Sequence, residues 1–383
     1  MTKNSREAGF INRNRPKSAF PVRPILFVFF VLLVPAAYAL KYFSTFHPEK
    51  VENYYSLGVY RTISSAVSSY FRLFPFSCAE IMLYELIILA VFLIAVIIKR
   101  LVVGDRRAAL RIAAFMLFVL SSMYFLFTVM WGLNYNRLPL EESLHYKTGK
   151  PTASELTDAL LKETDAINSL CDKVNYDSNG HSYYPGGFKK ISANVNDAYL
   201  ALQKSDENYR KLFSGAIPRP KGILASKLLS YTGIEGIFIP FTCEPNVDTD
   251  LPAFVLPFDA AHESAHLKGF AREQEANFVA YLAGISSPDP YFQYSAHMEA
   301  YIYLSNALFE TDIETLKKVA PLIDKRAVSD FEYYSNYVTA HESTASEISN
   351  KVNDTYLKSQ GQQGVITYNM FVTLLIEKYR TEK

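Results

Sequence analysis

The stretch Ala261-His262-Glu263-Ser264-Ala265-His266-Leu267-Lys268-Gly269, followed by Arg272-Glu273-Gln274-Glu275-Ala276-Asn277, decides how the rest of the chain is read. It contains His-Glu-x-x-His. On a helix, positions i and i+4 share one face, so His262 and His266 can offer both imidazoles to one metal ion. Glu263 stands beside them and can reach a metal-bound water. Catalytic zinc takes three protein ligands and keeps one position open, so a third ligand is required.

One zinc pattern, His-Glu-x-x-His-x-x-Gly-x-x-His, finds its third ligand after a glycine turn. Gly269 is in register here, but Arg272 stands where that His would be. A guanidinium has no lone pair to give a metal. A carboxylate on the next helix is therefore expected. Glu273 and Glu275 both lie at its start and point about 200° apart on a regular helix, so only one faces the metal. Glu273 is preferred. Glu275 is the competitor; otherwise it is expected to be solvated, or salt-bridged to Arg272 or Lys268. Asn277, at i+4 from Glu273, is placed to orient a ligand.

The flanks fit a short helix, with Pro257 ahead of it and Gly269 behind. Ala260, Ala261 and Ala265 permit close packing. Upstream, Gly236-Ile237-Phe238-Ile239-Pro240-Phe241 is the best strand, and Pro240 confines it to a sheet edge. An edge strand can pair with an extended peptide. Ala253-Phe254-Val255-Leu256 is expected as a second short strand.

The bulk numbers set the surroundings. The chain has 383 residues and a net charge of +1, which gives no sign of nucleic-acid binding. Charged residues make up only 20%, while aromatics reach 14%, with 27 Tyr and 27 Phe. That balance suits a chain partly within a bilayer. The three cysteines, Cys78, Cys171 and Cys243, are too scattered for a disulfide framework or a Cys-based zinc site.

Hydropathy predicts a basic cytoplasmic tail over 1–23 and a membrane domain over 24–134. The latter holds three transmembrane helices (about 24–44, 79–98 and 112–132) and an amphipathic segment, 45–76. The first span is expected to be an uncleaved anchor. Glu80 and Glu85 lie near the outer end of the second and are expected to be structural. Lys99, Arg100, Arg106, Arg107 and Arg111 crowd the short loop between the second and third spans. The positive-inside rule then places 135–383 outside the cytoplasm. That part reads as mainly helical with a little sheet. A capping box, Thr152-Ala153-Ser154-Glu155, opens one helix, and a single helix is expected over 328–357. His341-Glu342-Ser343-Thr344-Ala345 is a broken copy of the motif and reads as helix surface. Tyr294, His297 and Tyr368 are candidate oxyanion stabilisers by residue type alone.

Two resemblances sharpen these expectations. Glu273-x-x-Ala276-Asn277 resembles the Glu-x-x-Ala-Asp/Asn signature of membrane zinc peptidases of the prenyl-protein protease type, and of bacterial metallopeptidases that cleave phage repressors. It implies His262, His266 and Glu273 as ligands and Glu263 as catalyst, in a gluzincin-type, zincin-like domain. More widely, Pro75-Phe76-Ser77, Trp131-Gly132-Leu133-Asn134-Tyr135, Gly236–Phe241, the His262 stretch and Asn353-Asp354-Thr355-Tyr356-Leu357-Lys358 resemble an uncharacterised bacterial membrane family, domain of unknown function 3810.

The expected protein is mainly α with a small β-sheet: three N-terminal transmembrane helices, then a zincin-like soluble domain. The expected function is a multi-pass, membrane-anchored zinc metallopeptidase. It would use Zn2+ and a Glu-activated, zinc-bound water on a peptide or protein substrate, with the lipid bilayer as its other partner. The rival readings are a non-catalytic zincin-fold sensor or scaffold of the cell envelope, and a helical membrane protein whose motif arose by chance.

Overall fold

The computed structural model describes residues 24–147, 149–362 and 368–382, with side chains from Leu32 onward except those of Tyr368 and Asn369. The predicted basic tail and the side chain of Tyr368 thus lie outside the described residues. The chain is mainly helical, with a two-stranded sheet (β1, Asn175–Tyr176; β2, Ser182–Tyr183) and a three-stranded one.

Two helices, Cys78–Val102 and Arg106–Met130, are long and apolar enough to cross a membrane, and their side chains are almost wholly uncovered by protein. Each is bounded by its own chemistry. Ser77 caps the first by accepting from the Glu80 amide at 3.0 Å, and Lys99 and Arg100 lie in its last turn. Asp105 caps the second through the Ala108 amide, and Gly104, at φ +80°, makes the turn between them.

Of the three expected spans, two qualify among the described residues. The first also forms a helix, Pro24–Thr45, but the side chains of residues 24–31 lie outside the described residues. Near its end the Lys41 ammonium donates to the Ser359 carbonyl at 2.7 Å and to Gln360 Oε1 at 2.9 Å.

The amphipathic segment splits in two. Val51–Tyr60 is wound as a π-helix and Arg61–Phe71 as an α-helix. The π-helix buries Val51, Glu52, Ser56 and Tyr60, residues four or five apart, so one face is turned inward.

Beyond residue 150, helices Ala153–Leu170, Gly187–Ser205, Leu256–Leu267, Glu273–Ser286, Pro290–Thr311 and Tyr368–Thr381 pack around one core. The Thr152 capping box is present. Small residues allow close packing: Ala260, Ala261 and Ala265 are buried on Leu256–Leu267, and Ala276, Ala280 and Ala283 on Glu273–Ser286. At Gly284 a Cβ would stand 2.5 Å from that of Ala296, so only glycine lets these two helices approach. Phe278, Phe292 and Phe371 fill the space between, each contributing roughly 2 kcal/mol by burial.

The three-stranded sheet has the order β3 (Lys221–Gly222), β5 (Glu244–Val247), β4 (Gly236–Ile239). β4 is an edge strand, antiparallel to β5, with Gly236 opposite Val247 and Ile239 opposite Glu244. The strand expected at Ala253–Leu256 is absent. Those residues turn into the following helix, which Leu256 starts with Pro257 in its first turn. The true neighbour, Glu244-Pro245-Asn246-Val247, is buried at every position and has no polar–apolar alternation to betray it. Pro245 escapes a penalty because β3 pairs only with Asn246 and Val247. The helix predicted over 328–357 is two, Lys325–His341 and Thr344–Ser359, broken at Glu342-Ser343. The broken motif copy lies at that break.

A smaller apolar cluster joins Tyr60, Trp131, Tyr135, Phe238, Cys243 and Leu267. It is the seam where the apolar helix Arg106–Met130, the sheet and the His262 helix meet.

Candidate metal centre

His262 and His266 lie one turn apart on Leu256–Leu267, and Glu273 opens the next helix. Gly269 makes this return possible. At φ +92° it ends the first helix, and the Phe270 amide reaches back to the Ala265 carbonyl at 3.1 Å. A Cβ there would also press on the Tyr60 ring at 3.1 Å. One donor atom from each of His262, His266 and Glu273 lies within 4.8 Å of the others. Glu273 Oε2 is 3.3 Å from His262 Nε2 and 3.6 Å from His266 Nε2.

The ring of His266 is held in place. Its Nδ1 is 2.6 Å from the Phe270 carbonyl, which leaves Nε2 to carry the lone pair once the ring is neutral. Trp131 stands edge-on to it, 5.8 Å between centroids. Tyr60 donates to the carbonyls of His266 and Leu267 at 3.2 and 3.3 Å.

Electrostatics follow from burial and crowding. Burial acts to lower the His266 pKa, but the Glu273 carboxylate outweighs it and lifts the ring to about 9. Burial acts to raise Glu273, and the two histidines hold it well below the usual carboxylate range. Glu263 goes the other way: burial pushes it up to about 7 against the pull of His266 and His262. Its Oε2 is buried without a partner, as is Nδ1 of His262. Two imidazoles and a carboxylate on one point match the donor set zinc takes with one position left open. A glutamate near pH 7 with a free oxygen matches a proton carrier.

Glu275 is not part of this group. Its Oε1 accepts from Arg272 Nη1 at 2.5 Å and from the Leu140 amide at 2.9 Å. It is salt-bridged as expected, though buried rather than solvated. Lys268, the other partner considered, turns away: its ammonium donates to the Ala216 carbonyl and lies 4.7 Å over the Tyr199 ring. Arg272 also ties down the Tyr135 and Arg137 carbonyls. Asn277 donates to the Tyr303 hydroxyl rather than to Glu273.

Residues 55–376 match the family described as protein of unknown function, DUF3810. The chain belongs to that family. No curated protein and no solved structure matches it. The matched range takes in both apolar helices, the three-stranded sheet, and His262, Glu263, His266 and Glu273.

The oxyanion candidates are corrected. Tyr294 is buried and donates to Asp330 at 2.8 Å, while His297 is bound to Glu163 at 2.5 Å. Both are committed to the packing of their helix. Two tyrosines that the sequence reading passed over stand nearer. Tyr135 and Tyr356 hydroxyls are 3.1 Å apart, and both are raised in pKa by burial and by the charge of Glu273, so both keep their protons. Their signal was in the sequence: each lies in a block that resembles the family, 221 positions apart. Glu235, bonded by Tyr334 at 2.6 Å and raised in pKa by burial against the pull of Tyr334 and His262, carried no such signal.

Proposed function

We propose that this chain is a membrane-anchored, zinc-dependent endopeptidase with a zincin-like catalytic domain over 135–383, lying outside the cytoplasm. The observation that carries the reading is the convergence of His262, His266 and Glu273 from two helices, with Glu263 beside them.

Zinc, when bound, supplies Lewis acidity: it brings the pKa of water toward neutrality and polarises a substrate carbonyl. The chain supplies the rest. Glu263 takes a proton from the attacking water, whose oxygen bonds to the acyl carbon; the C–N bond breaks and the same carboxyl delivers the proton to the leaving nitrogen. A pKa near 7 suits both halves of that transfer. Tyr135 and Tyr356 are protonated donors for the developing negative oxygen. β4 has one free edge next to Glu263, and a peptide laid along it as an added strand passes the ligands in extended form.

The basic loop Lys99–Arg111, on the cytoplasmic side, sends both apolar helices outward to the sheet and site. The test is metal analysis of the purified full-length chain, paired with Glu263→Gln. The variant is expected to keep one zinc and lose peptide hydrolysis. A wild-type chain without stoichiometric metal would end the enzyme reading, and hydrolysis untouched in Glu263→Gln would remove that residue from it.

A further inference from the structure

The apolar part of Arg106–Met130 runs from Ile112, just after Arg111, to Trp131, the residue that caps the helix. That is about 20 residues, or roughly 30 Å at the helical rise, the thickness of a bilayer's hydrocarbon core. With Arg106, Arg107 and Arg111 at one face, Trp131 falls at the opposite hydrocarbon boundary, where tryptophan concentrates. His266 is 5.8 Å from it, ring to ring. The headgroup region is itself roughly 5–8 Å deep on each side, so His266 stays within it or at its edge.

The second apolar helix gives the same level independently. Ile81 to Ile98 spans about 18 residues, which puts Glu80 at the same boundary. Glu80 accepts from the Leu224 and Ala225 amides at 2.7 and 3.0 Å, fixing that loop at its own depth. Leu224 and Leu228 there are 71% and 74% exposed, apolar side chains with no protein over them. Hydrocarbon covers them if the loop dips into the bilayer surface. Beside the site, a cleft of about 570 Å³ has Tyr38, Lys41 and Tyr42 from the first helix on one wall and Tyr135, Arg272 and Gln274 on the other.

We propose that the His262–His266–Glu273 centre lies in the headgroup layer, and that its substrates are membrane-proximal segments of membrane-anchored polypeptides. This rests on the peptidase reading above and on the two helices crossing the bilayer. A bond far from the surface would have to be drawn down to the site, whereas one a few residues from a membrane exit is already there.

The chain has a single tryptophan, so depth can be read directly. The full-length protein is reconstituted in phosphatidylethanolamine–phosphatidylglycerol vesicles doped with brominated phosphatidylcholine. Bromines near the headgroup are expected to quench Trp131 more than bromines deep in the acyl chains. Strongest quenching by deep bromines, or by aqueous iodide, overturns the placement. Cobalt(II) in place of zinc is expected to quench Trp131 as well, and His266→Ala to abolish that effect; no cobalt quenching in the wild type removes the metal, and with it the reading underneath.

Substrate class is then tested with one peptide in three forms: unanchored, or carried about 3 or about 25 residues from a single apolar anchor helix. The short-spaced form is expected to be cut about tenfold faster than either other form at equal peptide. Equal rates for all three overturn the substrate class and leave the peptidase standing. No cleavage of any form, with cobalt bound, overturns the peptidase reading and this inference together. Release of headgroups or acyl chains from the vesicle lipids instead would replace the polypeptide substrate with a lipid.

Discussion

Glu263 occupies the space that a side chain at residue 236 would need: a Cβ on Gly236 would lie 2.5 Å from its Oε1 and 2.8 Å from its Cγ. The first residue of the edge strand is thus glycine because the Glu263 side chain is folded against its backbone. Gly236→Ala is expected to displace Glu263 without touching a ligand. Peptide hydrolysis should fall by about 100-fold or more while zinc content stays at one per chain. Metal content and kcat on the same preparation check it; full activity would mean that Glu263 tolerates the shift.

The two glutamates at the start of one helix predict opposite phenotypes. Glu273→Gln should lose zinc and keep its fold, because it sits on the ligand point. Glu275→Gln should keep zinc but lose stability, on the order of 2 kcal/mol, because it takes the counter-ion from Arg272, whose side chain is only 12% exposed. Metal-to-protein ratio and thermal unfolding of both variants decide it.

Tyr356→Phe removes a hydroxyl without emptying the site. If that hydroxyl, with its Tyr135 partner, receives the developing oxyanion, kcat should fall about 100-fold with metal content unchanged. An unchanged kcat would assign the pair to packing alone.

Much of this was legible beforehand, and the failures have physical causes. The convergence of His262, His266 and Glu273 was readable because helical periodicity and the inability of arginine to coordinate leave few choices. The edge strand was readable from Pro240. Its neighbour β5 was not, since a strand buried on both faces shows no alternation and Pro245 argues against one. Tyr135 and Tyr356 each lie in a block that resembles the family, but which of the 27 tyrosines pair is decided only by tertiary folding. The structural role expected of Glu80 is seen in its carboxylate, which holds the Leu224–Ala225 loop.

Glu299 predicts a pH dependence of stability. Burial first, and then the nearby Glu235, push its carboxyl up to about 8, and its Oε1 is buried without a partner. The folded-state pKa exceeds the unfolded value of 4.5, so its contribution is fully present below pH 4.5 and is lost as pH rises through 8. Glu299→Gln should match the wild type near pH 4.5 and be more stable at pH 9, by on the order of 5 kcal/mol at most. Thermal unfolding in detergent across that range shows it; a constant difference between the two proteins would contradict the assignment.

The junction between helix ends and site has a consequence for handling the protein. Glu244, on β5, accepts from the Cys78 and Ala79 amides that start the first apolar helix. Arg137, which steadies the Gly269 carbonyl at 2.9 Å, has its counter-ion, Glu52, in the π-helix. Cutting the chain near residue 135 to obtain a water-soluble catalytic fragment would discard Glu52, Tyr60 and Trp131 together. The N-terminal helices are therefore a structural component of the His262–His266–Glu273 group rather than an appendage, and a fragment without them would be a different object from the full chain.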